Sequence, residues 1–191
     1  GRYYLTHPGM CKRTETIDGV SKQTPMTDPF ITESKMFRRV VKKKDEEVVE
    51  YYEADRKKTA KDELAGEVVY ERVAEKGDGK CFTDFDEMLM AYQNGEVGLQ
   101  SKVKVRRFCG EDDLRGKLVE STVGRFIFNE HIPQDIGFVE DRENDPYSLE
   151  VDFLVGKKEL GKIIDKCYRK LGNTKTALML DYIKDTGYHY S

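Results

Sequence analysis

One amphipathic stretch near the end of the chain constrains the fold more than any other feature. Six apolar residues recur there at helical spacing, and Gly172 follows them: Leu160, Ile163, Ile164, Cys167, Tyr168 and Leu171. This spacing places all six on one face of a helix over three turns. Burying them fully would contribute on the order of 10 kcal/mol before entropy is subtracted. The face must therefore pack against another part of the structure.

The spacing of apolar residues predicts three more helices. The first begins after Thr83, which can cap it, and ends at Asn94-Gly95. Its apolar stripe is Phe85, Met88, Leu89 and Tyr92. The second covers 123–130, follows the capping pair Ser121-Thr122 and ends before Pro133. The third covers 175–186, starts at Asn173 or Thr174 and ends at Gly187. Together these patterns predict an α+β fold with a helix-rich second half.

A half-buried strand is predicted between the first two of these helices. Apolar residues fall on odd positions and cations on even positions: Val97, Leu99, Val103 and Val105 against Lys102, Lys104 and Arg106. This alternation gives the strand a basic outer face. With Arg107, the cations are candidates for contact with nucleic-acid phosphates. An ordinary solvated face is the other reading, and we favour it.

The charged residues are concentrated in one segment. Charged side chains make up 36% of the chain, and residues 33–76 hold 12 basic and 12 acidic ones. The β-branched and aromatic residues among them favour a hairpin turning near residues 44–46, although a helical stripe also fits. Residues 67–73 are typical of a further strand. Residues 35–73 thus predict a small, charged, β-rich module, and the Thr-, Pro- and Gly-rich stretch 7–34 predicts a loop.

The sequence gives no pattern typical of a metal or disulfide site. The four cysteines stand at 11, 81, 109 and 167, and the three histidines are far apart in sequence. Zinc sites usually show short paired spacings of such residues. In Asp84-Phe85-Asp86 the two carboxylates would point about 200° apart on a helix, so capping is favoured over Mg²⁺ binding. Asp141, Glu143 and Asp145 lack the glycine and closing glutamate of a calcium loop. We predict no metal ligand and no cofactor within this chain.

Catalytic motifs are equally missing from the sequence. The stretch Lys76-Gly77-Asp78-Gly79-Lys80 lacks the spacing of a phosphate-binding loop and predicts a glycine turn. No nucleophile motif occurs, so no catalytic residue is predicted. No apolar run approaches the roughly 18–20 residues of a membrane span, and the first residues differ from a secretory leader. The sequence predicts a cytoplasmic protein with no membrane contact, and its ends fall within patterns as those of an excised piece would.

Seven stretches carry a family resemblance through their order. They are Gly1-Arg2-Tyr3-Tyr4-Leu5-Thr6, the turn 75–79, the helix 85–92, the strand 102–106, Thr122-Val123-Gly124-Arg125 with Asn129-Glu130, the helix 157–172, and the segment 181–188. Over residues 1–6 and 74–191 the chain resembles the β′ subunit of bacterial DNA-directed RNA polymerase. The endings Phe128-Asn129-Glu130 and Tyr188-His189-Tyr190-Ser191 are more similar to Gram-positive members.

The resemblance implies an organisation and a function. Residues 1–6 would end the active-site barrel region, 7–73 would be a lineage-specific insertion, and 74–191 would be a segment of the pore domain. This segment helps form the secondary channel, through which nucleotides enter during transcription. The helix face at residues 160–171 would then be a subunit-packing surface.

The resemblance also implies that the isolated chain is not an enzyme. The family's metal-binding aspartates would lie upstream of Gly1, and Asp84-Phe85-Asp86 does not match their motif because Glu87-Met88 follows it. Mg²⁺ would belong to the whole enzyme and Zn²⁺ to the whole subunit. The implied partners are the remainder of β′ and the β, α and ω subunits, with DNA and RNA contacted through the assembled enzyme. A free-standing nucleic-acid-binding module that uses the strand at 102–107 is the alternative hypothesis.

Overall fold

The computed structural model describes residues 5–7, 11–17, 20–26, 36–43, 46–53, 67–72 and 74–190. The chain divides into two compact units, one formed by Gly1–His7 with Ala74–Ser191 and the other by Pro8–Val73. The reading of residues 7–73 as a lineage-specific insertion stays a prediction.

The unit Pro8–Val73 contains a three-stranded antiparallel sheet in the order β2-β1-β5. Its strands are β1 (Cys11–Ile17), β2 (Val20–Met26) and β5 (Glu67–Arg72). The loop predicted over residues 7–34 is therefore wrong for β1 and β2. Two threonines lie in β1 and one in β2, and Asp18-Gly19 between them is a dipeptide typical of two-residue hairpin connections. The turn-forming residues of this stretch therefore do not prevent strand formation at 11–17 and 20–26.

The same unit contains a hairpin of β3 (Met36–Lys43) and β4 (Glu46–Glu53), so strands rather than a helix form here. The register pairs Val40 with Val49 and Val41 with Val48. Basic residues of β3 stand opposite acidic residues of β4, as in the pair Lys43 and Glu46. Opposite charges at paired positions favour this strand pairing, which explains how a segment so rich in charge forms regular structure. The strand predicted at 67–73 is confirmed as β5.

The other unit contains a small mixed sheet in the order β6-β7-β8. Its strands are β6 (Cys81–Phe82), β7 (Lys102–Arg107) and β8 (Lys117–Thr122), with β6 parallel and β8 antiparallel to β7. The strand predicted from Val97 begins only at Lys102, because Gly98 and Ser101 close a turn before it. In this turn the Gly98 N–H donates to the Ser101 hydroxyl oxygen at 2.8 Å. The sequence did not indicate β8, which is largely exposed and lacks clear alternation.

The described residues 74–190 of this unit contain three helices: α1 (Phe85–Gln93), α2 (Val123–Asn129) and α3 (Lys157–His189). The cap predicted for α1 at Thr83 is one residue early, since the Asp84 carboxylate accepts the Glu87 N–H at 2.8 Å. The Thr83 hydroxyl instead donates to the Glu87 carboxylate at 2.6 Å. These two hydrogen bonds fasten the first turn of α1 from both sides. Thr122 caps α2 as predicted, by accepting the Arg125 N–H at 3.3 Å.

The long helix α3 contains the two helices that the sequence predicted as separate. Gly172 interrupts it with φ 79°, a left-handed backbone conformation that favours glycine. The predicted end at Gly187 is wrong, because α3 continues to His189 and Tyr190 caps it. Gly187 has helical neighbours on both sides and no need of a special conformation there. Within the described residues, no helix is long and apolar enough to cross a membrane.

One hydrophobic core joins the sheet and helices of this unit. It includes Leu5 before the first strand, Met88 of α1, Val103 and Val105 of β7, and Ile163 of α3, all at most 1% exposed. Because the earliest and latest described segments share this core, residues 5–7 belong with 74–190 despite their distance in sequence.

Candidate interaction surfaces

The cations of β7 lie beside a carboxylate that the sequence analysis did not consider. Lys104 pairs with Glu120 in the register of β7 and β8. The Glu120 carboxylate lies 3.6 Å from Lys102 Nζ and 3.9 Å from Lys104 Nζ. All three side chains are between 33% and 48% exposed, so these ion pairs are weak but oppose the positive charge locally.

The two arginines of β7 lie in different environments. The Arg106 guanidinium donates to the carbonyl oxygen of Arg115 at 2.5 Å. Arg107 occupies an odd position, in phase with the buried Val103 and Val105, and its guanidinium donates to the carbonyl of Tyr147 and to Gln134 Oε1. Burial lowers the pKa of Arg107, and the nearby Arg142 charge adds to this effect. Arg107 thus supports the loop that contains Tyr147, and the four predicted contact residues do not form one surface.

Buried polar side chains fix the acidic segment 134–152, which has no helix or strand. The Asn129 side chain donates to the Val151 carbonyl at 2.7 Å and accepts the Val151 N–H at 2.9 Å. The Glu150 side chain is 0% exposed, pairs with Arg142 and accepts the Phe138 N–H at 2.6 Å. Satisfied polar groups of this kind give a loop one defined conformation. Asn129 and Glu150 were not identified as functional from the sequence.

Two partly buried acids of the loops serve as turn caps in this structure. Asp145 accepts the Ser148 N–H at 3.1 Å, and its hydrogen bond with the Ser148 hydroxyl lowers the pKa of Asp145. Asp113 accepts the Gly116 N–H at 2.9 Å and the Tyr147 hydroxyl at 2.8 Å, which holds its pKa well below the usual range. Among residues 5–7 and 74–190, with the strands of the other unit, no three His, Cys, Asp or Glu side chains group as a metal site would require.

The segment of residues 5–7 is fastened to the first turn of α2. Arg125 Nε donates to the Thr6 carbonyl at 3.1 Å, and the Val155 N–H donates to Thr6 Oγ1 at 2.8 Å. The backbone of Leu5 packs directly on Gly124, where an added Cβ would lie 2.0 Å from the Leu5 carbonyl oxygen. The stretch Thr122-Val123-Gly124-Arg125 thus forms an anchor for the chain before residue 8.

The predicted packing face of α3 is divided by the fold. Ile163 and Cys167 are fully buried, and Leu160, Ile164 and Leu171 are partly buried against the core. Tyr168 remains 52% exposed. This face is therefore mostly covered within the chain itself, and only its edge at Tyr168 is open. Its role in packing against another subunit stays a prediction.

A second set of apolar side chains lies exposed after Gly172, where the sequence analysis named no interface. Leu178 is 63%, Tyr182 47% and Tyr188 74% exposed. A shallow groove of about 250 Å³ runs beside them, lined by His131, Pro133, Lys175, Leu178, Met179 and Tyr182. The His131 and Tyr182 rings stack with centroids 3.2 Å apart. Burial lowers the pKa of His131. The sequence shows apolar residues at 178, 182 and 188 but not that they are exposed. Their exposure follows from the fold, because Thr176, Met179 and Ile183 form the buried face of this half of the helix.

Comparison with known proteins gives consistent results. Residues 59–191 match the family described as RNA polymerase Rpb1, domain 3. The chain is 67% identical over 115 residues to the DNA-directed RNA polymerase subunit beta' of Alkaliphilus oremlandii, which covers 60% of this chain and 10% of that protein. It is 61% identical over 116 residues to the subunit of the same name from Clostridioides difficile. That match covers 61% of this chain and 10% of that protein. The chain spans about a tenth of the length of these curated relatives.

Proposed function

Because the chain belongs to the RNA polymerase Rpb1, domain 3, family, we propose that it is a structural, non-catalytic segment of the β′ subunit of a bacterial DNA-directed RNA polymerase. In the assembled enzyme this segment helps form the secondary channel for nucleotide entry. The observation that carries the proposal is the 67% identity over 115 residues to a subunit of that name.

The exposed apolar residues of α3 support a role inside a larger assembly. Tyr168, Leu178, Tyr182 and Tyr188 are each at least 47% exposed on one helix. Such a surface is typical of contact with other protein segments. We propose that the remainder of β′ covers it, together with the β, α or ω subunits. Catalytic Mg²⁺ and the subunit's Zn²⁺ would be held by residues outside this chain.

The strand pairing within the unit Pro8–Val73 supports the proposal that residues 7–73 are an insertion. Cys11 near the start of this unit pairs with Arg72 near its end. Paired strands hold their Cα atoms about 5 Å apart. A unit whose two ends lie side by side can interrupt a host domain without separating the host's segments.

A domain exchange tests the proposed function. Residues 74–191 of this chain would replace the matching segment of the Clostridioides difficile subunit, which is then assembled with its partner subunits. We expect assembly and RNA synthesis near the level of the unexchanged enzyme. Failure to assemble, with the exchanged segment itself folded, would contradict a place in β′. The isolated chain serves as the control for catalysis, and RNA synthesis by that chain alone would contradict the non-catalytic role.

The channel is tested by its effect on substrate entry. Single cysteines placed at exposed positions of the exchanged segment would be coupled to maleimides of increasing size. If the segment lines the channel, large adducts at some positions raise KM for nucleotides and leave assembly unchanged. Uniform insensitivity at every exposed position would leave the β′ assignment intact but contradict the channel.

A further inference from the structure

The first two turns of α3 present three lysines that have no partner among the residues described. Lys157, Lys158 and Lys162 are all exposed. No hydrogen bond or ion pair within the described part of the chain involves their ammonium groups. The chain therefore leaves three cations together at one end of this helix.

The other cations of α3 before Gly172 are engaged. Lys166 Nζ donates to the Gly137 carbonyl at 2.9 Å and lies over the Phe138 ring. Arg169 pairs with Asp165 at 3.0 Å, and Lys170 lies 3.8 Å from the Asp135 carboxylate. In this half of the helix, three cations have partners within the described residues, and Lys157, Lys158 and Lys162 have none.

Charge is concentrated in this part of the helix. Residues 157–171 include six basic and two acidic residues, whereas the whole chain has a formal net charge of −3. One of the two acids, Glu159, accepts the Gly156 N–H at 3.2 Å and caps the helix. Cations in the first turns of a helix are disfavoured by its dipole. Helix stability therefore does not explain why lysines occur here.

The chemistry of the surface favours phosphate over protein. Lysine is depleted from protein–protein interfaces, which depend on aromatic, arginine and apolar anchors. Gly161 stands among the three lysines, and nothing lies within 4 Å of the position of a Cβ there. The surface is thus open, cationic and without an apolar anchor. Lysines bind phosphates as point charges and need no such anchor.

We propose that Lys157, Lys158 and Lys162 form a contact site for the phosphodiester backbone of nucleic acid. This site replaces the strand at 102–107 as the main candidate, because Glu120 opposes Lys102 and Lys104 there and no acid pairs with the three lysines of α3 within the described residues. The site depends on charge and exposure alone, so its failure would leave the proposed place in β′ unaffected.

The test measures binding of the full chain to a fluorescent single-stranded oligonucleotide by anisotropy over a series of salt concentrations. In the variant K158Q/K162Q we expect affinity at low salt to fall about tenfold. The slope of log K against log salt should become shallower by about 1.4, since each lost single-strand phosphate contact removes about 0.7. A duplex of the same sequence distinguishes double-stranded from single-stranded backbone as the preferred form.

Matched variants identify the surface. K175Q/K184Q removes two exposed lysines from the other half of the same helix and should leave affinity and slope unchanged. E120Q removes the acid beside Lys102 and Lys104, and E96Q is the control that removes one acid elsewhere. If E120Q tightens binding while K158Q/K162Q binds like the wild type, the β7 strand is the contact and the proposal is wrong. Wild-type binding too weak to detect at the lowest salt would also overturn it. So would tighter binding to polyglutamate than to an oligonucleotide of equal charge, which would assign the surface to an acidic protein.

Discussion

Gly124 and Leu5 touch so closely that no other residue type fits at position 124: a Cβ there would lie 2.0 Å from the Leu5 carbonyl oxygen and 3.1 Å from its Cα. The contact is between backbones, so no side-chain rotation relieves it. It joins the segment before residue 8 to the start of α2, and Arg125 secures the same segment through the Thr6 carbonyl.

We expect G124A to displace residues 5–7 and to lower the free energy of unfolding by about 1–3 kcal/mol, as overpacking of a buried contact does. Amide exchange at Val155 should accelerate, because its acceptor is Thr6 Oγ1. The control is G161A, where the added methyl meets open space and helix propensity predicts a gain of up to about 1 kcal/mol. Equal stabilities of the two variants would contradict the anchor.

We expect E150Q to destabilise the chain by about 3 kcal/mol, because it leaves the guanidinium of Arg142 without its charged partner in a buried setting. The Glu150 side chain is 0% exposed, and that of Arg142 is 23% exposed. The control is E96Q, which breaks the Lys80–Glu96 pair, with side chains 44% and 51% exposed, and should change stability by less than about 1 kcal/mol. Urea unfolding of the two variants makes the comparison, and a surface-like effect of E150Q would show that the pair does not hold the loop.

G172A and G187A should shift stability in opposite directions. Gly172 has φ 79°, so alanine there incurs a penalty of about 1–2 kcal/mol. Gly187 lies within α3 and has no atoms within 4 Å of an added Cβ, so alanine there should stabilise by up to about 1 kcal/mol. Thermal unfolding of both variants checks the signs. Stabilisation by G172A would mean that α3 is not broken at this position.

Stability should fall as pH decreases through the ordinary range of histidine titration. Burial lowers the pKa of His131, so the unfolded chain takes up a proton on this residue at a higher pH than the folded chain does. The stacked His131–Tyr182 pair is therefore most stable above about pH 6.5 and weakens below it. H131F retains an aromatic ring and should reduce the pH dependence of the unfolding free energy. Equal slopes for wild type and H131F would refute the assignment.

Removal of residues 8–73 should leave the other unit folded. The pairing of Cys11 with Arg72 brings the ends of the removed unit together, so a short glycine–serine linker between His7 and Ala74 should span the gap. The expected result is a cooperative unfolding transition that retains the effect of G124A. Loss of that transition, with a longer linker giving the same loss, would show that residues 8–73 are required for the fold and do not behave as an insertion.

The sequence by itself determined the elements whose signals are local. The helical stripe at 160–171, the caps around Thr122 and the glycine turn at 76–79 follow from spacing and residue type, because backbone geometry fixes which side chains share a face. At 36–53 the sequence favoured a hairpin but left a helix open, and the pairing of the two strands decided it. The family resemblance came from the same local motifs, taken in order. Where local signals conflicted, as between threonines and turn-forming residues at 11–26, the sequence was read wrongly.

Only the tertiary structure decided which of these surfaces are free. Glu120 opposes Lys102 and Lys104 because two strands bring distant positions within 3.9 Å, and Arg107 supports a loop 40 residues away in sequence. The close contact of Gly124 with Leu5 likewise joins positions more than a hundred residues apart. The sequence gives a side chain's charge and spacing, but packing determines its partners. These partners decide whether a cation is available to a ligand.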